Sequence, residues 1–508
     1  MPGTRYESVG HRAPAELRAN LDRMRIDEYA KLDAVAIAAA VRAGELSALE
    51  VTEAAIGAID ALEPRLNALV LQDFAQAREV ARGVSREAPL AGVPFLVKDV
   101  NLQVAGWPTT YSSRFFAGAA PLPDSELVVR WRRAGTVFLG KTNTPEFAGN
   151  FATEPVYRGT TLNPWNPAVT VGGSSGGAAA AVASGMVPVA HGTDVGGSIR
   201  VPAACCGLFG LKPSRGLNPL GPHHAELGAG LNCDHVLSRT VRDSAAFLDA
   251  TAGPDPGAPY RVVPAVPSYL AALQGPRETL RVACISHSLD GRPVAPEIEA
   301  RLWDAARLIE ALGHKVEPTR FPAEVADLAA GEAWIPLWLM DIAMLIRDRT
   351  RELGREPESD EIETMSRYAV ERIGRMSAHE YFDVRRLAHR LCLAMLQAFG
   401  AFDLILTPAT GTLPPPVGVL GANAPDFDLA RWGAAGYAFA PFSELFNVTG
   451  QPAASLPLFQ SASGLPIGIQ LVGRQDEDHR LLRVAADLES ATAWTNRHPP
   501  LWAGAPIA

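Results

Sequence analysis

The stretch Val171 to Pro202 reads V-G-G-S-S-G-G-A-A-A-A-V-A-S-G-M-V-P-V-A-H-G-T-D-V-G-G-S-I-R-V-P, and it limits the folds open to this chain more than any other segment. From Gly172 to Ser198, 18 of 27 residues are Gly, Ala or Ser, and eight are glycine. Average usage would supply about two glycines. Glycine loses the most conformational freedom on folding, so this density needs a reason: close approach of backbone, or turns where a Cβ would clash. Two Gly-Gly-Ser steps, ending at Ser174 and Ser198, bracket an alanine-rich segment suited to a short, tightly packed helix. Each serine is thereby offered at a turn with its hydroxyl free.

The second step carries more chemistry. Residues 192–197 read as a loop and residues 198–204 as a helix start, which sets Ser198 beside bare N–H groups at a positive helix end. Such donors are what an oxyanion requires in acyl transfer. The local pattern leaves three readings open: a nucleophile, a phosphate-binding turn and a purely structural turn. A nucleophilic serine needs a base, and the candidate is Lys98, at the end of the apolar run Phe95–Val97. A lysine there is ordinarily a surface residue with its stem along apolar neighbours. At a pKa of about 10.4, roughly one lysine in 2,500 is neutral at pH 7, a handicap of about 4.6 kcal/mol. A catalytic Lys98 must therefore be desolvated or held beside positive charge.

Lys98, the Gly172–Gly177 segment around Ser174 and Ser175, and the Gly192–Pro202 segment around Ser198 together resemble the amidase signature family of serine hydrolases. The spacing of 24 between the two serines matches as well. The resemblance implies an α/β fold with a large mixed central sheet sandwiched between helices, and hydrolysis of amides without a cofactor or metal. It implies Ser198 as nucleophile, Ser174 as a bridging serine after a cis peptide bond, and Lys98 as terminal base. The oxyanion donors would be the N–H groups of Val195, Gly196, Gly197 and Ser198, with Ser175, Asp194 and Arg200 bracing the loop.

Residues 153–167 and 441–452 are most similar to the branch containing 6-aminohexanoate cyclic-dimer hydrolases and aryl amidases. That implies small, hydrophobic, linear or cyclic amides as substrates, with esters and carbamates (urethanes) as further ones. Trp334 and Trp338, in the apolar stretch 334–346, and Asn447 are the candidate pocket residues. The alternative for 334–346 is a buried helix.

Three rival readings are weaker. Gly135-Thr-Val-Phe-Leu-Gly140-Lys141-Thr142 fits the phosphate-binding P-loop expression, but its intervening residues are bulky and β-branched, a helix pattern precedes it, and Pro145 follows; a P-loop needs a flexible loop between strand and helix. Gly172-Gly-Ser174-Ser-Gly176 fits the nucleophile elbow of an α/β-hydrolase esterase, with Ser174 as nucleophile. There Pro167 spoils the strand that should precede it. The glutaminase subunit of a tRNA-dependent amidotransferase usually has Gln where this chain has Val201, and a Thr-Tyr-Gly-like turn where it has Ser214-Arg215-Gly216.

A length of 508 residues suggests about three domains, whereas the resemblance implies a flexible lead-in, residues 1–28, and one domain, 29–508, with a variable helical region near 320–400. The net charge of −9 and the lack of a long basic run argue against nucleic acid. Five cysteines without metal spacing, no apolar leader and no run of 18 apolar residues predict a cytoplasmic protein with no membrane partner. A homodimer stays open.

Locally, a helix is predicted over 34–43, ended by Gly44, and another opened by the Ser47–Glu50 capping box and stopped at Pro64. A third, over 125–133, is ended by Gly135. Strands are predicted over 66–71, 94–98, 136–139, 280–285, 314–317 and 404–408, and in 446–457 and 464–473.

Overall fold

The computed structural model describes residues 24–329, 335–423 and 427–505. Eleven strands form one mixed sheet: β1 Leu69–Gln72, β2 Pro94–Lys98, β3 Val137–Thr142, β4 Val189–Asp194, β5 Phe209–Lys212, β6 Cys233–Ser238, β7 Arg281–Cys284, β8 Lys315–Pro318, β9 Leu404–Pro408, β10 Ala453–Gln460 and β11 Pro466–Gly473. Their order is β1-β3-β2-β4-β6-β5-β10-β11-β9-β7-β8. β2 runs parallel to β3 and β4, and β7 parallel to β8 and β9, while the other neighbours are antiparallel. Helices cover the sheet, so the α/β architecture expected from the sequence holds. β2, β3, β4 and β6 are buried along their whole length.

Short-range signals translate directly into local structure. Ser47 Oγ accepts from Glu50 N–H and the Glu50 carboxylate accepts from Ser47 N–H, closing the capping box that opens the helix Ala48–Leu66. Gly44 and Gly135 end their helices in the left-handed conformation.

Three expectations fail for identifiable reasons. The helix from Ala48 runs through Pro64 to Leu66, because Leu62 and Leu66 are both buried and Asn67 supplies the left-handed cap. Residues 192–194 are the end of β4, not a loop. The segment Ser443–Thr449 is a helix that precedes β10. Of the lead-in, residues 1–23 lie outside the described residues, and Ile26–Tyr29 is already helical.

The P-loop look-alike is part of β3. Lys141 is fully buried there, with its Nζ 3.3 Å from Asp99 Oδ1, so the segment is a strand with no free loop for a phosphate. The 320–400 region is helical as predicted, with helices Ala323–Ala329, Ile335–Leu353, Thr364–Gly374 and Ala378–Phe399. Among the described residues no helix is long and apolar enough to cross a membrane.

Candidate active site

Lys98 ends β2, whose parallel partner β4 brings Thr193 alongside it, while the Gly-rich turn before the helix Gly176–Ala183 delivers Ser174 and Ser175. Every residue of that alanine-rich helix is buried, and Gly176 and Gly177 let it approach the strands so closely that an added Cβ would overlap Thr153 or Asn143. The Gly173–Ser174 peptide is cis.

The Lys98 side chain is fully buried, and its Nζ meets three hydroxyl oxygens: Ser174 Oγ at 2.6 Å, Thr193 Oγ1 at 2.9 Å and Ser175 Oγ at 3.0 Å. Among the described residues no carboxylate is hydrogen-bonded to it. Burial lowers its pKa to about 7, against the pull of the more distant Asp234 and Asp194. Half of the amine is then neutral near pH 7, which removes most of the handicap of an ordinary lysine. Behind it, the Lys98 N–H donates to His191 Nδ1 at 3.3 Å, and His191 Nε2 lies 2.9 Å from Asp234 Oδ1. Burial lowers the His191 pKa, Asp234 opposing. An accepting Nδ1 leaves the proton on Nε2, directed at the carboxylate.

Ser175 Oγ donates to the Thr193 carbonyl and accepts from its N–H, both at 3.3 Å. Its proton is therefore committed, and the Ser174 hydroxyl is the one positioned to donate to a neutral amine.

Ser198 stands on the turn between β4 and the helix Arg200–Cys206, and its carbonyl accepts from Ser175 N–H at 3.1 Å. Both Ser174 and Ser198 open onto one cavity. Among the described residues no hydrogen bond joins their hydroxyls, so the bonded chain runs from Lys98 to Ser174 and is not closed to Ser198.

Asp194 organises the turn. Its carboxylate accepts from the N–H groups of Gly197 (2.8 Å), Ile199 (3.1 Å) and Arg200 (3.4 Å), from the Arg200 guanidinium at 2.8 and 3.0 Å, and from Asn447 Nδ2 at 2.9 Å. Burial pushes its pKa up, but the Arg200 charge and hydrogen bonds, with Asn447, bring it down to about 2. Arg200 in turn donates to the Ser443 carbonyl and to Gln470 Oε1, at 2.8 and 2.7 Å. Gly197 has φ +130°, and a Cβ there would lie 2.4 Å from Ser443 Oγ, so only glycine fits.

The expected oxyanion donors thus divide. The N–H groups of Val195, Gly196 and Ser198 are matched to no acceptor among the described residues, and all three residues line the cavity. The Gly197 N–H points away, to Asp194.

The cavity has a volume of about 820 Å³, with Phe147, Phe151, Trp338, Trp432 and Tyr437 on its walls. Trp338 lies where the sequence placed it. Trp334 lies outside the described residues. Asn447 is not on the wall: it is buried beneath the turn, held by Asp194, the Leu231 carbonyl and Arg200, because it sits on the inward face of the helix Ser443–Thr449. Among the described residues no group of three or more His, Cys, Asp or Glu side chains is arranged to hold a metal ion.

Sequence reasoning missed Thr193, which alternation along β4 would have placed on the Lys98 side had 192–194 been read as strand. It also missed Asp234, Ser443 and Gln470, which arrive from other strands and helices and carry no local signal.

The sequence matches the Amidase family over residues 50–482, and the chain belongs to that family. It is 35% identical over 486 residues to the 6-aminohexanoate-cyclic-dimer hydrolase of Paenarthrobacter ureafaciens, covering 92% of this chain and 96% of that one. The putative amidase AmiC of Mycobacterium tuberculosis is 36% identical over 481 residues, 93% of this chain and 97% of its own. The solved structure of a 6-aminohexanoate cyclic dimer hydrolase with its substrate superposes with a TM-score of 0.88 at 35% identity, covering 93% and 99% of the two chains. A bacterial aryl acylamidase of the amidase signature family gives 0.83 at 27% identity, covering 94% and 99%. The chain is accordingly an amide-hydrolysing enzyme.

Proposed function

We propose that this enzyme cleaves small, hydrophobic, linear or cyclic amides by a Ser198–Ser174–Lys98 relay and an acyl-enzyme. The observation that carries the reading is a buried amine, ringed by hydroxyls and with no bonded carboxylate among the described residues, 2.6 Å from Ser174 Oγ. As substrate enters, the Ser198 hydroxyl turns toward Ser174 Oγ; catalytic hydrogen bonds commonly tighten only in the Michaelis complex. Ser198 Oγ bonds to the carbonyl carbon, its proton passes to Ser174, and the Ser174 proton passes to Lys98 Nζ. The negative oxygen rests on the N–H groups of Val195, Gly196 and Ser198. Lys98 then returns a proton through Ser174 to the leaving nitrogen, the C–N bond breaks and the amine departs. Water, deprotonated along the same path, attacks the ester on Ser198, releasing the acid and restoring the hydroxyl.

The apolar and aromatic walls favour a hydrophobic acyl or amine group, and the relative acting on the 6-aminohexanoate cyclic dimer supports including cyclic amides. Esters and carbamates present the same carbonyl to the same donors and are expected to be cleaved as well. We place the enzyme in the cytoplasm.

The test is a hydrolysis panel of aryl anilides, linear and cyclic aminohexanoate oligomers, small carbamates and glutamine, combined with mapping of a serine-directed phosphonate adduct. Labelling at Ser198 and turnover of anilides or oligomers are expected. An adduct on Ser174 would reverse the two serines, and glutamine turnover alone would favour the amidotransferase reading.

A further inference from the structure

The helix Ile335–Leu353 turns Trp338, Asp341, Ile342 and Leu345 toward the cavity, at the i, i+3, i+4, i+7 spacing of one helical face. Asp341 is the exception on an otherwise apolar face. One carboxylate oxygen accepts from the Gly228 N–H. Among the described residues no Lys, Arg or His pairs with it. Its charged neighbour is Glu226, whose own partner is Arg385 at 3.5 Å. On the cavity wall, Arg292 is already bound to Asp290 at 2.5 Å and stacked over Tyr437 at 5.3 Å.

We propose that Asp341 is a specificity-determining residue that selects amides bearing an ammonium group, its carboxylate supplying the anionic end of an aromatic-walled cavity. The inference rests on the amide-hydrolase reading above and narrows it to cationic substrates.

The argument is one of missing charge. A carboxylate held away from water without a counter-ion is expensive, and burial, with Glu226 adding to it and the Gly228 N–H opposing, raises its pKa to about 7. A ligand ammonium would supply the absent partner through a charge-assisted hydrogen bond to the unused carboxylate oxygen. The faces of Trp338 and Trp432, which line the same cavity, attract a cation and repel an anion. A neutral alkyl chain gains the apolar walls but leaves the acid without its partner. Holding the turn at Gly228 requires only an acceptor oxygen, which an asparagine also provides, so the charge itself serves the ligand.

The test compares hexylammonium with 1-hexanol by calorimetry on the wild-type enzyme and on Asp341→Asn, which keeps the acceptor for Gly228 and removes the charge. The wild type is expected to bind the ammonium roughly tenfold or more tightly, the scale of one hydrogen bond to a charged group, and Asp341→Asn to lose that preference. In parallel, kcat/KM is measured for 6-aminohexanoyl against heptanoyl anilide, and for N-(5-aminopentyl) against N-hexyl benzamide. The cationic member of at least one pair is expected to be favoured, and the ratio to collapse in the variant. Equal affinity of the wild type for the two hexyl compounds overturns the proposal even if the variant fails to fold, and so does a preference that survives in a folded Asp341→Asn. Loss of all turnover with the binding preference intact would instead count against the amide reading while leaving the role of Asp341 standing.

Discussion

Two lysines stand buried on neighbouring strands, Lys98 at the end of β2 and Lys141 one step from the end of β3, where Lys141 pairs with Val97. Both are fully buried, and both belong to motif-like stretches of the sequence. Their surroundings differ in kind. Lys141 Nζ contacts Asp99 Oδ1 (3.3 Å), the Pro108 carbonyl (2.9 Å) and Thr109 Oγ1 (2.6 Å). A carboxylate and a carbonyl can only accept, so this nitrogen must donate, and it serves as a structural ammonium. Burial lowers its pKa and Asp99 opposes. Lys98 meets three hydroxyl oxygens and no bonded carboxylate among the described residues, and the Ser174 hydroxyl is placed to give it a proton. Depth of burial does not tell the two amines apart; the chemistry of what touches each one does.

The largest effect that would break this contrast is at Lys98. Lys98→Met should cut kcat by about 10³-fold or more, within the range removed with a general base, without lowering the thermal midpoint. Near-normal turnover would remove Lys98 from the chemistry. Lys141→Met should act on the fold, because it leaves Asp99 buried without its cation, a loss of about 3–5 kcal/mol. Denaturant unfolding reads that cost, and an unchanged midpoint would mean that the two lysines are not distinct in role.

Next comes the pH profile. In the proposed relay the neutral amine is the working form, so kcat/KM should rise with pH through about 7. Asp234 favours the charged form, so Asp234→Asn should move that limb to lower pH and raise kcat/KM at pH 6 by at most about tenfold, the effect of one pKa unit. Movement to higher pH would refute the sign. The smallest change is Thr193→Val, which removes one of three oxygens around the amine and should lower kcat by about fivefold, the worth of one ordinary hydrogen bond; full activity would make Thr193 a bystander.

The same contrast marks what could be read in advance. Helix boundaries set by adjacent residues, such as Ser47 with Glu50 or Gly135, were legible because the physics is local. The meeting of Lys98 with Ser174 was legible only through a family likeness, since nothing in a five-residue strand announces its partner 76 positions on. Thr193 was hidden because Gly-Thr-Asp-Val-Gly-Gly has the composition of a loop, although β4 lies fully buried inside the sheet. Asn447 was misplaced because Phe446 to Pro457 reads as one extended run, whereas its first part closes a helix beneath the turn. Asp341 is alone among its helix's cavity-facing residues in carrying charge, and the apolar stretch 334–346 gives no sign in the sequence that it faces the cavity.

Arg200 reaches Ser443 and Gln470, partners 243 and 270 residues further along the chain. During synthesis, then, the serine hydroxyls and the amine emerge from the ribosome long before the struts that fix their turn. A nascent polypeptide short of Gln470 already holds Lys98, Ser174 and Ser198 but lacks an acceptor that braces Arg200 beneath their turn.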